Sequence, residues 1–365
     1  MSINKTVFKL HSWVGLITGL ILSVVSLTGV GLVFRDELDS EFHPQRSNIS
    51  AGKRLSLDSV YSIASVVRPT HSVSAIILPE TLDEALLVRL SKKQDVVKVY
   101  LDPSTGSVLD EQFEKDDLLQ QVFLLHRTLL IGETGKIIMF FFGLALIVST
   151  LTGLYVYRRQ FFSFINIFSR NRKLRKQDTR SKRWHTNIGM MGFLVNLLFA
   201  VTGAIMQYPA VKKVFEEPRQ KQQEQVSQIQ KRSLDSLVAL SETKYPDFHL
   251  RVISFPQDKP SSVVLRGKFG DSRFVPPAKS SVELSAHTGE VIKVTKALTG
   301  NFFDDVTVIS NPLHFGNWGG VLTKIIYVLI GFLPAILSVT GFVIYFRRRK
   351  KHISLEEEYS ADVAS

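Results

Sequence analysis

The stretch His11-Ser12-Trp13-Val14-Gly15 decides the architecture. It sets a histidine at the mouth of an uncharged apolar run, Trp13 to Phe34, with a glycine one turn deeper. Residues four apart share a helix face, so Gly15 leaves room for a flat group against the backbone above His11. The pattern returns at His185-Thr186-Asn187-Ile188-Gly189, which opens another long apolar run. A Thr-Gly pair follows at the same distance each time: Thr28 stands 17 positions after His11, and Thr202 stands 17 after His185. Such a recurrence reads as a duplicated membrane unit.

The runs themselves are long enough for a bilayer, which about 20 apolar residues cross. Four are present: Trp13 to Phe34, Ile137 to Tyr157, Ile188 to Tyr208 and Ile325 to Phe346, the last with Pro334 expected to kink it. Lys5 and Lys9 precede the first, which is too long for a signal peptide and lacks a small-residue cleavage site, so it reads as a retained helix. Asp36-Glu37-Leu38-Asp39 follows it. Between Arg158 and His185 stand ten Lys or Arg and one acid, Asp178, and Arg347-Arg348-Arg349-Lys350 closes the fourth run. The positive-inside rule then puts both termini in the cytoplasm of a multi-pass protein of the bacterial inner membrane.

Composition agrees. Of 365 residues 45% are hydrophobic, and the net charge of +12 comes from basic residues bunched beside the apolar runs, which argues for topology and against nucleic acid. The absence of cysteine excludes disulfides, thiolate zinc, iron-sulfur clusters and covalently attached c-type haem.

Between the spans lie two segments with mixed patterning. In the first, Ser56-Leu57-Asp58-Ser59 reads as a helix start, and strand-like runs follow at Val73 to Leu78, Leu86 to Leu90 and Val96 to Leu101. Asp102-Pro103-Ser104-Thr105-Gly106 reads as a turn into a partner strand at Ser107. The second segment opens on a Gln-rich stretch, Glu216 to Arg232, expected as an exposed helix, and then repeats Ser-Leu-Asp-Ser at Ser233. Strand-like runs at Leu250 to Phe255 and Ser262 to Leu265 follow, and Ser285-Ala286-His287-Thr288-Gly289 repeats the turn. The offsets between matched positions rise steadily, from 174 at His11/His185 through 177 at Ser56/Ser233 and 183 at Thr105/Thr288 to 188 at His126/His314. Each half therefore reads helix, module, helix, with the pseudo-twofold axis along the membrane normal.

An amphipathic stretch, Leu118 to Leu130, carries His126. His126 precedes Thr152 by 26 residues, and His314 precedes Thr340 by 26. That many helical residues span roughly 39 Å, more than the hydrocarbon core of about 30 Å. His126 and His314 therefore belong at the outer interface, with the glycine-rich stretches after them breaking the helix, and His11 and His185 near the cytoplasmic face. Two facing histidines at one depth are what a six-coordinate haem iron needs. The reading is thus two b-type haems, with His11 and His185 as axial ligands of one iron and His126 and His314 of the other. Gly15 and Gly189 would lie against a ring, Trp13, Trp184 and Trp318 stand close to the ligands, and Arg127, Arg183 and Lys9 are placed to neutralise propionates. The bland alternatives are interfacial histidines, belt tryptophans and glycines serving helix packing. His43, His71, His249, His287 and His352 lack symmetric partners and read as surface residues.

The chain resembles the PepSY-associated transmembrane helix family of bacterial inner-membrane proteins. The likeness rests on Leu10-His11-Ser12-Trp13-Val14-Gly15, Thr28-Gly29 through Arg35-Asp36-Glu37-Leu38, Asp102-Pro103-Ser104-Thr105-Gly106, Leu125-His126-Arg127 with Gly132-Glu133-Thr134-Gly135, and Arg183-Trp184-His185. The resemblance implies an iron-regulated protein, with some members reducing ferric siderophores in the periplasm, and haem ligands at His11, His126, His185 and His314. It implies PepSY-like character for the two modules. Ser285-Ala286-His287 departs from Asp102-Pro103-Ser104, and Phe315 stands where the first half has Arg127, so the outer surfaces of the halves are not equivalent.

The expected fold is a mainly α membrane protein with four transmembrane helices in two tandem helix-module-helix repeats and two periplasmic α+β modules. Its segments are 1–36 for the first span, 37–117 for module one, 118–158 for an interfacial helix and second span, and 159–184 for a basic cytoplasmic loop. The third span follows at 185–209, module two at 210–312, the fourth span at 313–347 and a cytoplasmic tail at 348–365. The expected function is a ferric(-siderophore) reductase passing electrons to a periplasmic ferric chelate. Some relatives carry a flavin domain, but here about 19 residues follow Phe346, so the donor is expected to be quinol or a separate cytoplasmic reductase. The rivals are a cofactor-free PepSY module that binds or regulates a periplasmic protease, and a siderophore permease, for which four uncharged spans make a poor pathway.

Overall fold

The computed structural model describes residues 3–81, 84–93, 95–165, 179–216, 232–256 and 261–364. In chain order it runs α1 (Ile3–Leu32), α2 (Arg35–Phe42), α3 (Leu57–Val67), β1 (Ser72–Ile77), β2 (Leu86–Lys92), β3 (Asp95–Leu101) and β4 (Val108–Phe113). There follow α4 (Leu118–Thr128), α5 (Gly132–Ile165), α6 (Arg180–Met191), α7 (Phe193–Phe215) and α8 (Leu234–Lys244). The chain continues with β5 (Phe248–Ser254), β6 (Ser262–Phe269), β7 (Ser280–Ser285) and β8 (Val291–Thr295), and ends in α9 (Phe302–Phe315), α10 (Gly320–Gly331) and α11 (Leu333–Ala364). The expected helix at Glu216 to Arg232 falls mostly outside the described residues. Two compact units result, one of residues 1–33, 122–215 and 313–365, the other of residues 34–121 and 216–312.

Among the described residues the first unit holds four helical spans long and apolar enough to cross a membrane: Ile3–Leu32, Gly132–Arg159, Phe193–Phe215 and Gly320–Lys350. The second and fourth runs read from the sequence lie within them, whereas the first, Trp13 to Phe34, passes the end of its span at Leu32 and the third, Ile188 to Tyr208, begins before Phe193. Two of the runs are broken. Gly192 separates α6 from α7, and the fourth span breaks between Gly331 and Leu333, next to the expected kink at Pro334. The break frees backbone carbonyls, and Ser26 of α1 donates a hydrogen bond of 2.5 Å to Gly331 O, which is how a helix end inside lipid is tolerated. The stretch after His126 also breaks. Leu129 and Leu130 take φ of 51° and 63°, Gly132 takes 62°, and Gly135 packs directly under the Thr128 carbonyl, where a Cβ has no space. His126 therefore does not continue the α5 helix, and the 39 Å separation expected for a single helix does not apply.

In the second unit the two modules are not separate bodies. Their strands form one antiparallel sheet of order β4-β3-β2-β1-β5-β6-β7-β8, joined where Ala75, Ile76 and Ile77 pair with Ser254, Ile253 and Val252. Edge strands expose unpaired backbone groups, and pairing β1 with β5 removes one edge from each module. Alternate residues such as Ile76, Val88, Val99, Ile253, Leu265 and Val282 point to one face and are fully buried beneath Val60 and Ala64 of α3 and Leu237 of α8, the period of two that a half-buried strand requires. On the other side Arg46, 6% exposed, lies 3.7 Å over the Tyr100 ring and binds Asp39 at 2.6 Å and Asp110 at 2.7 Å.

The two Ser-Leu-Asp-Ser motifs cap each other's helices. Ser56 and Ser233 accept from Ser59 N and Ser236 N of their own first turns. The carboxylate of Asp235 accepts from Leu57 N (3.0 Å) and Asp58 N (3.2 Å), and Asp58 accepts from Leu234 N (2.8 Å) and Ser233 Oγ (2.5 Å). Each acid thus satisfies free N–H groups at the other helix's positive end. Replacing Asp58 or Asp235 by Asn singly is expected to cost about 1–2 kcal/mol of domain stability. The double replacement should be non-additive in a denaturation cycle, and simple additivity would refute a shared cap.

The paired turns differ as their sequences do. Asp102, 1% exposed, accepts from Ser50 N, Ser104 N and Thr105 N at 2.8, 2.8 and 3.1 Å. The Ser285 hydroxyl, in the same place, accepts from Thr288 N at 3.2 Å. Burial alone would raise the Asp102 pKa, but hydrogen bonds from Ser104 and Ser50 outweigh it and hold the carboxyl well below the usual carboxylate range. A depressed pKa means that this stabilisation is complete above about pH 4 and is lost as the pH falls below it. Asp102→Asn should therefore flatten the acid limb of the stability profile and cost about 2–3 kcal/mol at neutral pH. Ser285→Ala should cost less than about 1 kcal/mol, both read from thermal unfolding.

Candidate functional site

Each of the four histidines sits on a Thr-Gly pair of another helix. His11 of α1 packs against Gly153 of α5, and its Nδ1 lies 3.0 Å from Ser149 O and 3.3 Å from Thr152 Oγ1. His126 of α4 packs against Gly29 of α1, with Nδ1 2.8 Å from Val25 O and 3.2 Å from Thr28 Oγ1. His185 of α6 rests beside Gly341 of α11, 3.0 Å from Thr340 Oγ1, and His314 of α9 rests beside Gly203 of α7, 2.9 Å from Thr202 Oγ1. The glycines are needed because an added Cβ would stand 2.8 Å from His126 Cε1 at Gly29 and 3.0 Å from His11 Cε1 at Gly153.

The threonines bear on the histidine tautomers. Each hydroxyl hydrogen is spent on the carbonyl four residues back in its own helix: Thr28 on Val24, Thr152 on Val148, Thr202 on Leu198 and Thr340 on Ile336, at 2.6 to 2.9 Å. The threonine oxygen can then only accept, as can the Ser149 and Val25 carbonyls. With these acceptors facing it, Nδ1 is the nitrogen suited to carry the proton in each ring, most plainly at His11 and His126 where a backbone carbonyl faces it, and Nε2 is then the nitrogen with a lone pair to offer. No hydrogen bond among the described residues engages an Nε2 of the four. This is the tautomer of a metal-ligating histidine whose far nitrogen is held by a carbonyl or hydroxyl.

The rings meet in two pairs. His11 and His185 have ring centres 6.1 Å apart with planes crossed at 72°, and His126 and His314 lie 6.2 Å apart at 56°. Metal–nitrogen bonds of about 2 Å on both sides of an ion, plus roughly 1 Å from nitrogen to ring centre, put coaxial imidazoles about 6 Å apart. Both pairs have that spacing. No cluster of three or more His, Asp or Glu that could hold a metal occurs among the described residues, so each pair offers two axial ligands and suits a metal whose other ligands come from a macrocycle. His11 and Thr28 are 17 residues apart on one helix, so the pairs lie about 25 Å apart along α1.

A cavity of about 550 Å³ adjoins the first pair, within the usual range for a bound small molecule. Gly15 and Gly189 line it as expected, and no other group comes within 4 Å of a Cβ built on Gly15. Trp13 also lines it. Its rim is basic, with Lys9, Arg348 and Arg349, and its far end holds Leu22, Asn196 and Pro334. Lys9 and Leu22 are 13 residues apart on α1, so the cavity runs roughly 20 Å. Arg183 and Trp184 are not among its lining residues. Arg348 and Arg349 are, because α11 runs unbroken past the apolar run and carries them over the mouth; sequence reasoning had read them only as a topology signal. At the second pair, Phe199 stands edge-on to His314 (5.8 Å) and beside Tyr327, whose hydroxyl donates to Leu313 O (2.7 Å) and accepts from Trp318 Nε1 (3.4 Å). Arg127 lies near Phe123, and its carbonyl accepts from Gln207 Nε2.

The family model for the PepSY-associated TM region matches residues 8–348. The chain belongs to that family. It is a multi-pass membrane protein, and the family's region takes in both histidine pairs and all four Thr-Gly seats. No curated protein matches the chain. The duplication and its matched spacings bring the four histidines forward from the sequence; the threonines and glycines that seat them enter there only through the 17- and 26-residue spacings, with helix packing as their plain alternative, and not as seats for the rings. His71 departs from its surface reading, with a side chain only 7% exposed and 3.3 Å from Asp95.

The seats differ in tightness. Gly29→Ala puts a methyl 2.8 Å from His126, whereas at Gly341 the nearest atom of His185 is 3.5 Å away. Gly29→Ala should therefore lower thermal stability in detergent by about 1–3 kcal/mol, and Gly341→Ala should be close to neutral. Equal losses would show that the glycines serve only general helix packing.

Proposed function

We propose that this chain is an inner-membrane electron-transfer protein that holds two b-type haems and delivers electrons to a ferric chelate, a ferric siderophore among them, on the periplasmic side. The observation that carries the reading is the pair of His–His ring contacts at 6.1 and 6.2 Å, with the described hydrogen bonds of all four rings made at Nδ1. His11 and His185 would hold one iron, His126 and His314 the other. A haem so held supplies reversible one-electron exchange between ferric and ferrous iron, with little change in geometry and no position open to oxygen.

The protein's own part is to orient and enclose. Thr152 with Ser149 O, Thr28 with Val25 O, Thr340 and Thr202 fix each imidazole's rotation through Nδ1 and leave Nε2 as the nitrogen to face a metal. Lys9, Arg348 and Arg349 offer cations to carboxylates at the mouth of the first cavity. Basic residues flanking the helices argue for cytoplasmic termini, which makes His11/His185 the inner pair and His126/His314 the outer pair. The electron donor is then a quinol or a separate cytoplasmic reductase. The shared Ser-Leu-Asp-Ser motifs, Thr-Gly seats and matched spacings support two tandem repeats whose periplasmic portions are joined in one sheet.

Detergent-purified protein expressed with haem available should show low-spin b-type bands in the reduced-minus-oxidised spectrum, at about two haems per chain. His126→Ala and His185→Ala should each lower that to about one, and reduced protein should be reoxidised by a ferric chelate in the wild type but slowly in His126→Ala. A colourless wild type would leave the cofactor-free PepSY module as the better account.

A further inference from the structure

The two halves of the joined sheet match residue for residue, and the match fails at one place. β1 and β5 pair about Ile76 and Ile253, so each residue of one half answers to the residue 177 positions on (253 − 76). Ser56 and Ser233 keep that offset, and the irregularities of the two strands fall together, between Val73 and Ala75 and between Leu250 and Val252. Past the paired residues the backbone still matches. Leu78 N donates to Arg251 O and its counterpart Phe255 N donates to Ser74 O, both at 2.9 Å.

The side chains at this level differ. In one half Phe255 meets Tyr61 of α3 edge-on, with ring centres 5.2 Å apart and planes at 63°, a favoured aromatic arrangement. Their counterparts at the same offset are Leu78 and Val238 of α8. Neither carries a ring, and both line a cavity of about 670 Å³, a size usual for a bound small molecule. Leu57, Leu86 and Phe248 continue its apolar wall, and three prolines, Pro79, Pro103 and Pro246, add surface without N–H donors. Its polar members, Arg54, Glu242 and His249, are exposed. Arg54 spends one N–H on Thr81 O at 3.1 Å and has others to offer, whereas the Glu242 carboxylate can only accept.

We infer that this cavity is a binding site for a small phenolic molecule. Its ring takes the place that Tyr61 and Phe255 fill in the other half, against Leu78 and Val238. A phenol hydroxyl both donates and accepts, which suits a site offering a guanidinium donor and a carboxylate acceptor. An aryl carboxylate suits it less, because Glu242 repels a second anion. The site lies wholly in the sheet unit and stands independently of the two-haem reading.

The test is a methyl-resolved NMR titration of the full chain in detergent with p-cresol, using 4-methylcyclohexanol as the saturated counterpart of equal size. The Leu57, Leu78, Leu86 and Val238 methyls should shift saturably with p-cresol, with a Kd of about 1 mM or tighter. 4-Methylcyclohexanol should bind several-fold more weakly. The double variant Leu78→Phe/Val238→Tyr copies the filled half, and in it the Leu57 and Leu86 shifts should vanish. Val238→Tyr alone takes its place if the double variant melts below the wild type. Shifts that stay linear and fall only on leucines of the membrane spans, equal affinity for the two alcohols, or undiminished shifts in both filled variants would each overturn the phenolic site. Haem plays no part in the readout, so p-cresol binding by haem-free protein would uphold the site while the two-haem reading falls.

Discussion

The hydrogen bond from each histidine Nδ1 to a threonine on another helix is the constraint on which the membrane unit depends. Imidazole within an apolar span is costly unless it is engaged. A glycine beside the threonine lets the ring lie against the facing backbone, and the threonine's own bond to its helix leaves it able only to accept. Helix packing and ring orientation are thereby settled by one two-residue motif used four times. The motif links α1 to α5, α4 to α1, α6 to α11 and α9 to α7, so seating the histidines also sets the order in which the helices meet.

The broken helices follow from the same demand. For His126 to reach Thr28 and Gly29, the chain must turn away from α5 directly after α4, and it does so through Leu129 and Leu130 with positive φ. An L-residue there costs roughly 1–2 kcal/mol, a strain that the contacts of His126 and the Gly135–Thr128 packing offset. After His314 the turning positions are Gly316 and Gly320, at φ of 71° and 70°, where no such penalty arises. The freed carbonyls find side chains: Gly331 O takes Ser26, and Leu313 O takes Tyr327.

In the other unit, identical tetrapeptides do different things from those expected of them singly. Ser56 and Ser233 are N-caps, as a serine before an apolar run suggests. The aspartates two positions on face the opposite helix, 175 to 178 residues away in sequence. Together with the β1–β5 pairing this makes one sheet and one core from two stretches that each read as a complete small module.

Four spans, most of the strands within a few residues of their ends, the N-cap serines and the histidines with their matched spacings were legible in the chain, because period, punctuation and charge bias are local properties; β7 (Ser280–Ser285) was not, since Ser285 read as the start of a turn. The pairing of His11 with His185 and of His126 with His314 followed from topology, since helices that cross in alternate directions bring those ends to common depths. What the tertiary structure alone decided depends on atoms brought together from distant parts of the chain: the Thr-Gly seats, whose hydrogen bonds join residues 98 to 155 apart, the engagement of each Nδ1, and Arg348 and Arg349 at the cavity mouth. A hydrogen bond between two helices leaves no periodic trace in either one, so its existence became readable only once the helices were packed.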